Sequence, residues 1–136
     1  MNFYTSVFKG SKVGEIARYP AGTPGPEGSV MTATFFLQGQ EFIALNGGPQ
    51  FKFTEAISLV INCETQEEVD YYWEKLSEGG QKSMCGWLKD RYGLSWQVVP
   101  TILAKLAIGE KSAQVMQAMM KMEKLDIAKL VAAAEG

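Results

Sequence analysis

The hydrophobic pattern of the chain is clearest in its second half. Residues 56–63, AISLVINC, form a continuous apolar run of strand length, as expected of a strand with both faces buried. The run is followed by TQEE at residues 65–68, a capping box that predicts a helix extending to about Ser77. Two further strands are predicted at 84–89 and 94–99, where turn residues separate apolar runs.

The predicted helix has one apolar face, and the strands around it have two distinguishable faces. Val69, Trp73 and Leu76 recur at helical spacing, so Trp73 should lie in the core. Side chains alternate across a strand, and the more apolar face of 94–99, which carries Trp96, should pack on the helix. Cys63 falls on the helix-facing side of its strand and should also be buried.

The first half repeats this pattern without an opening strand. Residues 2–8 resemble the last turns of an amphipathic helix, and residues 12–19 predict a strand. The proline- and glycine-rich residues 20–29 predict a long loop. Residues 30–38 and 40–46 are β-rich runs joined by a glycine turn, which predicts a hairpin.

The C-terminal segment, residues 101–136, is helical in composition, being rich in Ala, Lys, Leu and Met. Asp126 is a good N-cap for a short final helix. One helix here carries Val115 together with four methionines, Met116, Met119, Met120 and Met122. Two interpretations stay open, packing within the chain or a contact in a dimer, since methionine suits adaptable surfaces.

The element order predicts one domain over 1–136 with two related modules. The first module, 1–49, lacks its first strand; the second is 50–100, and 101–136 is a helical extension. Either the chain is truncated or another segment covers the vacant sheet edge, because an open edge invites strand pairing.

Composition excludes several functional classes. The 136 residues are 46% hydrophobic and 21% charged, with 13 basic and 15 acidic side chains and a net charge of −2. We therefore expect no nucleic-acid surface, and no apolar run is long enough for a membrane helix. No signal peptide is evident, so we expect a cytoplasmic protein whose two cysteines are free thiols. The absence of histidine removes the commonest metal ligand and general base.

Several long motifs carry a family resemblance. The segments NFYTSVF, TATFFLQGQEFIALNGGP, EAISLVINCETQEEVDYYWEKLSEGG and CGWLKDRYGLSWQVVP resemble the PhnB-like branch of the vicinal oxygen chelate superfamily, often labelled 3-demethylubiquinone 3-methyltransferase-like. The resemblance implies an α+β fold of paired βαβββ modules, the glyoxalase fold, here with its first strand missing and a C-terminal helical extension. It also implies an open barrel cleft and a homodimer.

The metal positions of the superfamily are occupied here by neutral side chains. In metal-using relatives a DPDG-type turn precedes a strand glutamate that binds the metal; DRYG at residues 90–93 aligns with the turn, and Gln97 falls on the glutamate. Ser58 falls on a position that often carries a histidine ligand. An amide and a hydroxyl are poor ligands for a divalent cation, so we expect no metal and no cofactor. We interpret Gln97 as a hydrogen-bonding residue that faces the cleft.

Two further side chains are candidates for ligand binding. Trp87 shares a predicted strand face with Cys85, and it is either a wall of the barrel or a platform for an apolar ligand. Cys85 is either a small buried residue or a nucleophile, although a nucleophile needs an activating base or cation. Ser58, Cys85, Trp87 and Gln97 are thus the predicted ligand-binding residues, and no catalytic residue is assigned.

Three functions remain open from the sequence. The favoured hypothesis is a metal-free module that binds a small, largely apolar molecule in the cleft. The alternatives are a metal- or cysteine-dependent lyase, dioxygenase or transferase, and a protein with a mainly structural role and a collapsed cleft. No GxGxxG-type fingerprint for an S-adenosylmethionine-binding domain occurs, so the residues do not support the methyltransferase label.

Overall fold

A helix and a three-stranded antiparallel sheet form the first of two units in the chain. The structure is a computed structural model that describes all 136 residues, and it divides into Met1–Phe51 and Lys52–Gly136. The first unit contains helix α1 (Asn2–Val7) and strands β1 (Lys12–Arg18), β2 (Val30–Leu37) and β3 (Gln40–Leu45). The sheet order is β1-β2-β3, so β2 is central.

The predicted hairpin is present between β2 and β3. Leu37 pairs with Gln40, which leaves Gln38 and Gly39 as a two-residue turn, with φ of 50° and 84°. Two positive φ values define a type I′ turn, whose twist matches that of the flanking strands. The proline- and glycine-rich segment is the loop between β1 and β2, as predicted.

The core of the first unit lies on one face of its sheet. Ala33, Phe35 and Leu37 alternate along β2 and are buried, together with Val7 at the end of α1. The Phe35 ring stacks on that of Phe42, with centroids 5.6 Å apart. These contacts bury the face of the sheet that α1 covers.

The second unit follows the predicted order, with one additional strand. It contains β4 (Ser58–Cys63), α2 (Gln66–Ser77), β5 (Gln81–Lys82), β6 (Trp87–Lys89) and β7 (Ser95–Pro100). The sheet order is β4-β7-β6-β5, with β4 parallel to β7 and the other pairs antiparallel. Three helices follow, α3 (Leu103–Leu106), α4 (Ser112–Met119) and α5 (Ile127–Glu135).

Helix α2 begins with the predicted Thr65 cap, and Glu68 reaches back one residue further than in a standard capping box. The Thr65 hydroxyl accepts a hydrogen bond from the Glu68 amide at 3.2 Å, and the Glu68 carboxylate accepts one from the Glu64 amide at 2.7 Å. The buried face of the helix carries Trp73, which is 2% exposed. The predicted burial of Trp73, Trp96 and Cys63 is therefore confirmed.

The expectation that β4 is buried on both faces is wrong. Val60 is 52% exposed and Asn62 is exposed, whereas Ile61 and Cys63 are buried. Ile57 lies before the strand and is 72% exposed. Only the α2-facing side of β4 is covered, because no element of the second unit packs on its other side.

The expectation of a strand over 84–89 is also wrong in part. The strand begins only at Trp87, and Cys85 lies in a turn with φ of 60°. Cys85 and Trp87 therefore do not share a strand face. The cause is a contact distant in sequence, because the Cys85 amide donates to the Met122 carbonyl at 2.7 Å and the Gly86 amide to Glu123 at 2.8 Å.

The C-terminal helices have a small core of their own. Val115, Leu125 and Leu130 are fully buried, with Met119 and Met122 packed against them. Met116 and Met120 are exposed, so the methionines are divided between internal packing and surface. The predicted cap of α5 is present, since the Asp126 carboxylate accepts from the Lys129 amide at 3.1 Å. None of the helices combines the length and the apolar character that a membrane span requires.

Candidate functional site

The uncovered face of the second sheet carries most of the predicted site residues. Strand register places Val60, Gln97 and Trp87 side by side in one row across β4, β7 and β6. The adjacent row contains Ser58, Ser95 and Lys89. Because residues paired across strands point to the same side, both rows lie on the face opposite to helix α2.

Gln97 and Ser58 form a pair within these rows. The Gln97 amide nitrogen donates to the Ser58 hydroxyl oxygen at 2.9 Å, and the bond is half-buried. The structure thus brings together two residues that are 39 positions apart in sequence. The bond fixes the orientation of the Gln97 amide on the open face.

The oxygen and nitrogen atoms that this pair offers do not suit a metal ion as ligands. Divalent cations in proteins take thiolate, imidazole or carboxylate ligands, with carbonyls in support. Ser58 and Gln97 offer only a hydroxyl and an amide, and they bond to one another. No group of three or more Cys, Asp or Glu side chains in the chain could hold a metal ion.

A cavity of about 300 Å³ opens beside Trp87. It lies at the β5–β6 side of the sheet, and its walls contain both apolar and charged groups. The lining residues are Glu55, Gln81, Lys82, Ser83, Trp87, Leu88, Lys89 and Ser95. Of the four predicted site residues, only Trp87 lines this cavity. Gln97 lies next to Trp87 in one row, and Ser58 lies next to Ser95 in the other.

Ser95 is the most unusual residue of the cavity. It is 1% exposed, and its hydroxyl makes no hydrogen bond to another group of the protein. A buried hydroxyl without a partner is uncommon, because its desolvation is not compensated. Ser95 therefore offers a donor and an acceptor to whatever occupies the cavity.

An ion pair lies at the mouth of the same cavity. Lys89 contacts the Glu55 carboxylate, and the hydrogen bond from Lys89 is the main cause that lowers the pKa of Glu55. Glu55 is nevertheless largely exposed, so the pair is screened by solvent. The Lys89 ammonium is thereby held near Trp87 and Ser95.

The turn between β6 and β7 is built around Asp90, whose role the sequence alone did not reveal. Asp90 is 2% exposed, and one carboxylate oxygen accepts from the Tyr92 and Leu94 amides at 2.8 and 3.1 Å. The other oxygen accepts from the Trp96 indole nitrogen at 2.9 Å. An aspartate that opens a turn is the signal that could have indicated this role.

Solved structures show the class of protein to which this fold belongs. A PhnB protein from Bacillus cereus is 43% identical, with a TM-score of 0.68, over 74% of this chain and 88% of that chain. A Pseudomonas aeruginosa protein is 19% identical, with a TM-score of 0.59, over 73% of this chain and 84% of its own. The chain has the mixed α+β architecture of PhnB-like proteins, which have the glyoxalase or vicinal oxygen chelate fold.

The family itself follows from the sequence comparison. Residues 1–99 match the 3-demethylubiquinone-9 3-methyltransferase family. The chain therefore belongs to this PhnB-like family, and the predicted resemblance and fold class are confirmed. No curated protein matches the chain.

Proposed function

We propose that the protein binds a small molecule on the open face of its second sheet, in the cavity beside Trp87, and that it does so without a metal. The observation that carries the proposal is the Ser95 hydroxyl, which is buried against the cavity and has no partner in the protein. A ligand oxygen that bonds to this hydroxyl would compensate its desolvation.

The walls of the cavity define the chemistry of the ligand. Trp87 offers a flat apolar surface, which favours an aromatic or otherwise planar apolar group. Ser95 and Lys89 offer donors, which favour an oxygen acceptor such as a carbonyl or a carboxylate. The ligand we propose is therefore largely apolar, with one oxygen-bearing end.

The volume of the cavity limits the size of this ligand. About 300 Å³ is at the lower end of the range for small-molecule sites. A molecule of one or two rings would fill it. The Gln97 amide, held by Ser58 in the row next to Ser95, would contact a substituent that extends along the sheet.

An enzymatic function has weaker support. The neutral Ser58–Gln97 pair does not suit a metal-dependent lyase or dioxygenase. The positive φ of Cys85 has a structural reason, because the amides of Cys85 and Gly86 donate to the carbonyls of residues 122 and 123. The family carries a methyltransferase name, but we propose no methyl transfer for this chain. Both cysteines are free, which favours a cytoplasmic setting.

Calorimetric titration with 2-naphthoate tests the proposal, because this probe combines two fused rings with a carboxylate. With about 0.3 kcal/mol per heavy atom and roughly 13 atoms, the dissociation constant should be about millimolar. Trp87→Ala should weaken binding about tenfold, through the loss of ring contact. Ser95→Ala should weaken it about fivefold, through the loss of one hydrogen bond.

Tyr92→Ala is the matched control, because Tyr92 is an aromatic residue of the same unit that is 56% exposed and does not line the cavity. It should bind 2-naphthoate as the parent does. Absence of saturable binding by the parent protein, or equal binding by Trp87→Ala, would overturn the proposal.

A further inference from the structure

The cavity beside Trp87 contains a lysine whose ionic partner comes from outside the sheet. Lys89 lies on β6, directly across from Ser95 on β7. Its ammonium contacts the carboxylate of Glu55, which lies in an exposed turn just before β4. Both Lys89 and Glu55 line the cavity, so a molecule that occupies it would meet this ion pair.

The Glu55 carboxylate is held by few contacts. Its turn is closed by the Thr54 hydroxyl, which accepts a hydrogen bond from the Ala56 amide at 2.9 Å, and residues 51–57 are all exposed. The side chain of Glu55 is 64% exposed, and its carboxylate bonds to the Lys89 ammonium and to its own backbone amide. Exposed ion pairs stabilise a protein only slightly. The carboxylate can therefore leave Lys89 at a small cost in free energy.

Glu55 satisfies only one of the two polar groups beside it. It pairs with the Lys89 ammonium, but the neighbouring Ser95 hydroxyl remains buried and without a partner. Residues that face each other across antiparallel strands, as Lys89 and Ser95 do, have Cβ atoms about 4.5–5.5 Å apart. A carboxylate has two acceptor oxygens, so one bound in the cavity would accept from both residues at once. A ligand carboxylate would thus satisfy a hydroxyl that Glu55 leaves unsatisfied.

The other lysine of the cavity is directed elsewhere. Lys82 on β5 pairs with Leu88, which is buried on the side of the sheet that α2 covers. The Lys82 ammonium donates to both carboxylate oxygens of Glu74 on α2, at 3.0 and 3.2 Å. Lys89 is therefore the cation on the open face beside Ser95.

We propose that Glu55 is an internal competitor for Lys89, which a ligand carboxylate displaces when it bonds to both Lys89 and Ser95. This proposal rests on the ligand site proposed above, and it names the class of ligand as carboxylic acids with a planar apolar body. An acid that reaches Lys89 but not Ser95 only exchanges one carboxylate for another, so it gains little. A neutral molecule of the same shape leaves the ion pair in place. Glu55 thus determines which acids the site accepts.

A comparison of an acid with its neutral amide tests the proposal. Glu55→Gln keeps the length of the side chain and removes its charge. In NMR titrations at about 150 mM salt, which screens distant charges, this variant should bind 2-naphthoate about fivefold more tightly than the parent. The reason is that the ligand no longer competes with a carboxylate for Lys89. The affinity for 2-naphthamide, which has the same rings and no charge, should stay within about twofold of the parent value.

Two further variants are the controls. Glu74→Gln removes the same charge from an exposed carboxylate that pairs with Lys82, the other lysine of the cavity. It should leave the affinity for 2-naphthoate unchanged. Lys89→Gln removes the group for which the two carboxylates compete. In this background, Glu55→Gln should change the dissociation constant of 2-naphthoate by less than about twofold.

Three results would overturn this proposal and leave the ligand site intact. One is equal affinity of the parent and Glu55→Gln for 2-naphthoate. Another is an equal gain for 2-naphthamide, which would show that Glu55 obstructs the cavity instead of competing for the ammonium. The third is tighter binding by Glu74→Gln than by Glu55→Gln, which would place the ligand carboxylate at Lys82. Failure of both the parent and Glu55→Gln to bind 2-naphthoate would instead overturn the ligand site itself, and this proposal with it.

Discussion

Removal of the Asp90 carboxylate should strongly destabilise the second unit. In the structure, this buried side chain accepts hydrogen bonds from the Tyr92 and Leu94 amides and from the Trp96 indole. Bonds to a charged acceptor contribute about 1.5–3 kcal/mol each, and the donors left in Asp90→Ala lose their partner. The turn amides lie nearer to solvent than the Trp96 indole, so they regain part of this free energy from water.

We therefore expect Asp90→Ala to lower the free energy of unfolding by about 3–5 kcal/mol. At roughly 3 °C per kcal/mol for a chain of this size, the melting temperature should fall by about 10–15 °C. Urea unfolding followed by tryptophan fluorescence measures the first quantity, and differential scanning calorimetry measures the second.

A double-mutant cycle with Trp96→Phe separates the indole bond from the turn. The ring of phenylalanine fills much of the same space, but it has no N–H to donate to Asp90. The coupling free energy between the two sites should be about 1.5–3 kcal/mol. A coupling of zero would show that the bond from the Trp96 indole contributes nothing to stability. An Asp90→Ala variant as stable as the parent would show that the Asp90 interactions do not hold the β6–β7 turn.

Three other predictions concern the core, its thiol and the metal content. Trp73→Ala should lower the free energy of unfolding by about 3–5 kcal/mol, because Trp73 lies on the buried face of α2 and is 2% exposed; an unchanged melting temperature would contradict its burial. Burial, with a contribution from Glu68, raises the pKa of Cys63 to about 11, so the folded state retains the thiol proton to a higher pH than the unfolded state does. The free energy of unfolding, relative to that of Cys63→Ala, should therefore fall by about 2–3 kcal/mol as the pH rises from about 9 through 11. A difference between the two proteins that does not change with pH would contradict this. Elemental analysis of protein purified without added metal should find no stoichiometric zinc, nickel or iron, since Ser58 and Gln97 are poor ligands; one equivalent of any of these would refute that reasoning.

The parts of the fold that were predictable from the sequence depend on local signals. The cap at Thr65 and the spacing of Trp73 within α2 are properties of neighbouring residues, and both were confirmed. Strand alternation also placed Ser58 and Gln97 on comparable faces of β4 and β7, where the structure joins them by a hydrogen bond. The period of a strand is sufficient for such a prediction.

The parts that were not predictable depend on contacts between distant residues. The apolar run in β4 gave no indication that Val60 would be exposed, because periodicity does not report which side of a sheet is covered. The turn at Cys85 depends on a hydrogen bond to Met122, 37 residues later. The burial of Ser95 and the Lys89–Glu55 pair likewise emerge only when the second sheet is assembled.

A two-dimensional amide NMR titration with 2-naphthoate tests the proposed function most directly. If the open face of the second sheet is the binding surface, the shifts should concentrate at the Trp87 indole and at the amides of Ser95, Lys89 and Gln97, and they should saturate with one dissociation constant. Shifts that concentrate instead near Gln66 and Lys124, which line a separate groove beside the start of helix α2, would contradict the account. So would a spectrum that does not change.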